Sequence, residues 1–261
     1  MTEYYTAEEA MKVLHRTKTV FYQQVNNGEI PFEIDTGRKR GKRFPKPAID
    51  ILAKLDTTDT PVAGKEPLSL TFQTIAELWE GIKITRRLYG PEDEVPFETL
   101  MQWRAVNPDI YMSLKEGSKL IGAITFLPID ERVAIALING QLKEKDIPAY
   151  AVRKWTENNL TVYIPTIEVL PSGNFRRDRE RGTYLLRHTI KWAVLMAMQH
   201  DIKNWYAIGA TQDGRNILET LGFRAITALD EEKKGYTLET KKEPVRLIGM
   251  YLKEVESEKT A

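Results

Sequence analysis

Residues 160–171 read LTVYIPTIEVLP, and residues 172–186 continue as SGNFRRDRERGTYLL. The first run, rich in β-branched residues, is the longest strand signal in the chain and is expected to lie centrally in a sheet. It stops at an Arg-rich segment. From Gly182 a helical period sets in and runs to about His200, with Leu186, Ile190, Ala193, Val194 and Ala197 facing inward.

Working outward, LSLTFQ (68–73) reads as a strand leading to Thr74, which with Glu77 makes a capping box. In the helix that follows, Ile75, Leu78, Trp79, Ile82 and Tyr89 are expected on one face, and a second helix lies near FETLMQW (97–103). Residues 109–129, DIYMSLKEGSKLIGAITFLPI, are two β-rich runs around a Glu-Gly-Ser turn, a hairpin. A mixed stretch, 130–159, separates it from the central strand. Beyond the long helix, WYAIGAT (205–211) is a strand and GRNILETLGF (214–223) a short helix, and FRAIT (223–227) and VRLIGMYL (245–252) finish the sheet. This order specifies a mixed single-sheet α/β fold.

IEVLP before an Arg-rich loop and a helix, with ILETLGF before a strand, resembles the GNAT acyltransferases over about residues 67–254. The resemblance implies a central strand splayed from its neighbour, whose backbone amides, near Val169, hold the pantetheine arm of acetyl-CoA. It also implies an Arg/Gln-x-x-Gly-x-Gly/Ala loop that cradles the pyrophosphate. Here that loop keeps one glycine, Gly182, beside Thr183, while Arg176, Arg177, Arg179 and Arg181 supply cations. The alternative is a structural loop in which these arginines pair with Asp178 and Glu180. Glu168 is the candidate base for the acceptor ammonium, against a plain strand carboxylate. Where the family often has a tyrosine acid before ExLGF, this chain has Leu218. Tyr163, Tyr184 and Tyr206 are candidate replacements, with packing roles as the alternative, and Tyr206 is carried forward as the catalytic candidate.

The N-terminal residues 1–55 read as a separate module, followed by a Thr/Asp/Pro/Gly linker at 56–66 and the GNAT-like domain at 67–256. Thr6 and Glu9 form a capping box, and Ala7, Ala10, Met11 and Leu14 share a helical face. After HRTK, TVFYQQVNNG forms a second helix with Phe21 and Val25 inside. IPFEID and KRFP flank a basic tip at Gly37–Gly41, and PAIDILAKL closes the module as a helix. The pattern resembles the excisionase-type winged helix-turn-helix, a relative of MerR-like DNA-binding heads. That likeness implies DNA contact through residues 4–46. Lys18, Thr19, Tyr22, Gln23 and Asn26 would face the groove, and Arg38, Lys39, Arg40, Lys42 and Arg43 the phosphates. So small a head suggests paired half-sites, on a homodimer or a tandem site. The alternative is a three-helix packing module with a solvated basic loop.

The bulk composition narrows the rest. The 261 residues are 42% hydrophobic and 29% charged with a net charge of +1, so any nucleic-acid contact is local. Cysteine is absent, which rules out disulfides and thiolate chemistry and suits a cytoplasmic setting. No apolar run approaches the roughly 20 residues of a membrane span. His15, His188 and His200 lack paired ligand spacing, so no metal site is expected. Three readings result. The first is a DNA-binding regulator whose GNAT-like domain binds acetyl-CoA. The second is an active N-acetyltransferase with an amine acceptor, and the third a non-enzymatic scaffold.

Overall fold

The computed structural model describes residues 4–26, 30–34, 41–56, 66–92, 94–231 and 233–240. The linker residues 57–65, the tip residues Arg38, Lys39 and Arg40 and the expected strand 245–252 lie outside the described residues.

The N-terminal part comprises β1 (Tyr4–Tyr5), α1 (Ala7–Val13), α2 (Lys18–Asn26), β2 (Glu33–Ile34), β3 (Lys42–Pro45) and α3 (Lys46–Asp56). The Thr6 hydroxyl accepts the Glu9 amide, and the Glu9 carboxylate accepts the Thr6 amide at 2.8 Å, so the box satisfies two donors that the first turn leaves open. His15, at φ 51°, turns the chain between α1 and α2 through the left-handed region, which non-glycine residues seldom occupy. The strands lie in the order β1-β3-β2, both pairs antiparallel. Ala10, Leu14, Phe21, Val25, Phe44, Ile49 and Leu52 form the core here, joined by Leu195 from the long helix further on.

The larger part continues with β4 (Leu68–Phe72), α4 (Ile75–Tyr89), α5 (Phe97–Val106), β5 (Tyr111–Glu116), β6 (Lys119–Ile129) and α6 (Glu131–Ile138). It ends with β7 (Leu160–Val169), α7 (Phe175–Gln199), β8 (Ile202–Gly209), α8 (Gln212–Thr220), β9 (Arg224–Ala228) and β10 (Lys234–Glu239). Among the described residues one seven-stranded sheet forms, in the order β4-β5-β6-β7-β8-β10-β9, with β7 at its centre. All pairs are antiparallel except β7 with β8. Helix α7 covers one face, stacking Trp192 on Phe126 of β6 at 4.2 Å. Helix α4 packs on the other face of β6, beside Ala123 and Thr125, which alternate with Ile124 and Phe126 along the strand.

Two irregularities in β7 shape the sheet centre. Thr125 faces Thr166 and Leu127 faces Tyr163, so Phe126 alone stands opposite Ile164 and Pro165: β7 carries a bulge. Proline suits that place because a bulge residue need not donate to the ladder. On its other edge, β7 pairs with β8 only as far as Ile164↔Ala207, although β7 itself runs on to Val169. The two strands part there.

Several expectations need correction. The long helix starts at Phe175, not Gly182, so Arg176, Arg177, Arg179, Arg181, Gly182 and Thr183 are helical rather than a loop. Its buried side chains include Leu185, Ile190, Trp192, Leu195 and Met196. A single inward stripe fails because α7 packs against the sheet on one side and the N-terminal core on another. On α4 the buried positions are Leu78, Gly81 and Ile84, while Ile75 and Trp79 are exposed. The 130–159 stretch holds α6 and short 3-10 turns at Glu144–Asp146 and Ala149–Ala151. The strand β10 lacked a strong apolar alternation and was not expected. Among the described residues, no helix is long and apolar enough to cross a membrane.

Candidate active site

Glu168 sits on the part of β7 beyond the β8 ladder. It is only 3% exposed, and Ala123, directly opposite on β6, leaves room before it. Its Oε1 accepts the Thr85 hydroxyl of α4 at 2.9 Å, while its Oε2 is buried and has no hydrogen-bond partner. A buried carboxylate with one unanswered oxygen is costly. Burial, opposed by the Thr85 hydrogen bond and reinforced by the charge of Glu144, pushes Glu168 up to about 7.

Thr85 serves both protonation states. Its hydroxyl lies 2.9 Å from Glu168 Oε1 and 3.3 Å from the carbonyl of Gly81. It can donate to an ionised Glu168, or turn toward Gly81 and accept from a protonated one. The site therefore tolerates a proton arriving on Glu168.

Glu168 opens onto a cavity of about 70 Å³ between α4, α5 and the sheet. Small or short side chains on facing elements, Gly81, Thr85, Ala123, Thr125 and Thr166, make the space. Glu144, from the first of the 3-10 turns, also lines it and accepts the hydroxyl of Tyr163 at 2.6 Å. Strict alternation along β7 would send Tyr163 and Glu168 to opposite faces. The bulge at Ile164–Pro165 shifts the parity and puts both on one face. Tyr89, at the end of α4, is raised to about 12 by burial and then by the charges of Glu168 and Glu144.

Gly122 is needed behind this wall. A Cβ there would lie 2.3 Å from the Glu168 carbonyl oxygen and 3.1 Å from the Val169 Cα. Only glycine lets β6 approach β7 so closely at that point.

The start of α7 lies at the end of the same strand. Asn174 caps it by accepting the Arg177 amide at 3.1 Å, and Asp178 accepts the Ser172 amide. One helix donor, the Arg177 amide, is thus answered by the protein, while the Ser172 amide bound by Asp178 lies in the turn before the helix. Arg177 and Arg181 both clasp Glu116 of β5. Arg177 also reaches Glu180 at 2.9 Å, and Arg181 the Leu170 carbonyl at 3.0 Å. The clasp holds Glu116 below the usual carboxylate range: burial works to raise it, but hydrogen bonds from Arg181 and Arg177 prevail. Arg176 points outward, 87% exposed, 3.7 Å from Glu180. Gly182 and Thr183 are half-buried within the helix, and Val169 ends β7 opposite Gly122.

Tyr206 is 7% exposed on β8, across from Tyr163, but it does not line the Glu168 cavity. Burial and the nearby charge of Glu131 raise it. Sequence reasoning reached Glu168 and named Tyr163, but missed Thr85, Glu144 and Gly122. Thr85 follows Gly81 by one helical turn, a weak signal, and Glu144 lies in a stretch with no periodicity at all.

In the N-terminal part, α2 exposes Lys18, Thr19, Tyr22, Gln23 and Asn26 while burying Phe21 and Val25. Lys42 stands 4.0 Å over the Phe32 ring, and Arg43 4.6 Å over that of Tyr4.

No family model matches the chain, and no curated protein matches it. Solved structures do. The loading GNATL domain of CurA from Lyngbya majuscula is 12% identical with a TM-score of 0.50, over 67% of this chain and 98% of that one. Arabidopsis thaliana NAA60, solved with acetyl-CoA, is 12% identical with a TM-score of 0.43, over 65% of this chain and 96% of that one. Ard1 from Thermoplasma volcanium is 10% identical with a TM-score of 0.42, over 66% and 97%. At such identities the likeness is one of fold: about two thirds of this chain shares the mixed α/β fold of the GNAT proteins.

Proposed function

We propose that the chain is an N-acetyltransferase that moves an acetyl group from acetyl-CoA to an amine. The observation that carries this reading is Glu168, buried on the unladdered end of β7 with one oxygen unanswered and its pKa near 7. A base poised near the working pH is what an acceptor ammonium requires. The ammonium gives one proton to Glu168. The neutral nitrogen attacks the thioester carbonyl, the C–N bond forms and the C–S bond breaks. A second proton leaves nitrogen as the thiolate becomes a thiol, whose pKa of about 8.5 makes it a fair leaving group without an obligatory acid. That removes the need for Tyr206, which lies outside the cavity.

The donor fits the edge of Pro165–Val169 that faces away from β6, where backbone groups have no ladder partner among the described residues. Its phosphates meet the start of α7, where Arg176 lies on the surface and is the better side-chain cation for them, since Arg177 and Arg181 are paired with Glu116. Arg177 and Arg181 act through Glu116 as supports.

The test is thiol release from acetyl-CoA with and without amines. Amine-dependent release is expected, rising with pH through about 7, and lower by roughly 10²–10⁴ in Glu168→Gln. Release unaffected by that change would remove Glu168 from the chemistry.

A second reading concerns the N-terminal part. The polar face of α2 supports contact with DNA bases, and the basic hairpin supports contact with phosphates, on a dimer spanning two half-sites. Binding that weakens with salt, with a slope reduced by Arg38→Ala, Lys39→Ala and Arg40→Ala together, is the expected result. Salt-independent binding, or none, would remove this reading. The regulator, first among the sequence readings, is now second, since the shared fold and Glu168 both favour transfer.

A further inference from the structure

Glu168 does not face its cavity alone. A second carboxyl, Glu144, lines the same space from the 3-10 turn that follows α6. With a cavity of only about 70 Å³ to share, two like charges are close enough to repel, and buried surroundings screen them less than water does.

Tyr163 fixes where that second charge stands. It is fully buried in β7, and its hydroxyl donates to Glu144 at 2.6 Å. A hydrogen bond donated to a carboxylate favours the ionised form. Because the bulge at Ile164–Pro165 puts Tyr163 and Glu168 on one face, a single strand both carries the base and anchors its neighbour. Glu168, Tyr89 and Tyr163 all feel the result: burial comes first in raising each of them, and the charge of Glu144 adds to it.

The other charged groups on the elements around Glu168 are offset within the protein or turned to solvent. Glu94, also in the lining, is bound by Arg86 at 2.5 Å, and Glu77 of α4 by Lys115 of β5 at 2.8 Å. Lys83 and Arg87 are exposed on α4, and Arg104 of α5 donates to the Gln73 carbonyl at 2.8 Å. Tyr111 of β5, raised by burial, stays neutral, and Arg177 and Arg181 of α7 are clasped on Glu116.

We propose, on the transferase reading above, that Glu144 is a positioning residue: held by Tyr163 in the cavity of Glu168, its negative charge makes Glu168 the stronger base toward the acceptor ammonium. Tyr163 acts through Glu144, and Glu168 remains the group that takes the proton.

The experiment titrates the full chain labelled with 13C at the glutamate side-chain carboxyl carbons, the Glu168 signal being the one lost in Glu168→Gln. In Glu144→Gln the Glu168 midpoint should fall by about half a pH unit or more. Tyr163→Phe should give part of that fall, and should add nothing when combined with Glu144→Gln. Glu144→Asp, which keeps the charge, should return the midpoint most of the way. The pH at which amine-dependent thiol release from acetyl-CoA is half-maximal should move down in step. A folded Glu144→Gln protein with an unmoved Glu168 midpoint overturns the proposal, and so does a Glu144→Asp midpoint as low as that of Glu144→Gln. If Glu144→Gln does not fold, an unmoved midpoint in Tyr163→Phe overturns it alone. A lowered Glu168 midpoint without thiol release for any amine upholds the coupling and overturns the transferase reading, so the two failures are distinct.

Discussion

Burying Glu168 has a cost, and that cost has a definite sign. The folded value of the carboxyl, about 7, lies above the ordinary value of 4.5. Between those limits the folded protein holds a proton that the unfolded chain has released. Stability therefore falls as pH rises from about 4.5 to 7, by about 3 kcal/mol in all, and levels off above. Glu168→Gln should abolish that slope and be the more stable protein above pH 7. Denaturant unfolding from pH 4.5 to 8 measures it, and parallel curves for the two proteins would refute the assignment. Thr85 modulates the same group, since its hydrogen bond to Oε1 favours the ionised form.

Elements meet at two tight places. The first is the β6–β7 contact at Gly122, where an added methyl would collide with the backbone of Glu168. Gly122→Ala should cost about 1–3 kcal/mol and displace the carboxyl from Thr85. Thermal unfolding reads the first effect and titration of Glu168 the second; a variant unaltered in both would show that the strands have slack. The second is the clasp of Arg177 and Arg181 on Glu116, which ties the start of α7 to the β5–β6 hairpin. Glu116 titrates below its ordinary range, so its contribution is full above about pH 4.5 and lost as pH falls through its folded value. Glu116→Gln takes the nearer carboxylate from the buried Arg181, leaving it only Asp178 at 4.0 Å, and should cost about 3 kcal/mol at pH 7 while removing that acid limb. Unfolding curves at pH 3 to 7 would show it.

At the scale of the whole molecule, α7 is the shared element. It lays Trp192 against the sheet and contributes Leu195 to the core of the N-terminal part. Leu195→Ala should cost about 2–5 kcal/mol and lower amide protection around Phe21 and Phe44 more than around β7. Equal loss in both regions would mean the two cores unfold as one.

Read by itself, the sequence determines the order of most elements, though not α6 or β10. Hydrophobic period, the capping pairs Thr6–Glu9 and Thr74–Glu77, and the 109–129 hairpin are local signals, and each is answered by the structure. Glu168 was legible because it stands in the strongest strand. What surrounds it was not. Local periodicity placed Ile75 and Trp79 inside and began the long helix at Gly182. It had no information on the partner surfaces, or on the Asn174 and Asp178 side chains that extend the helix back to Phe175. Nor could alternation bring Glu144, Thr85 and Glu168 to one cavity, with Tyr163 bonded to Glu144 behind it, since they lie as far as 83 residues apart. A bulge at Pro165 and the packing of α4 against β6 do that. Local propensity acts within a few residues, whereas a pocket depends on long-range register, which only the packed chain supplies.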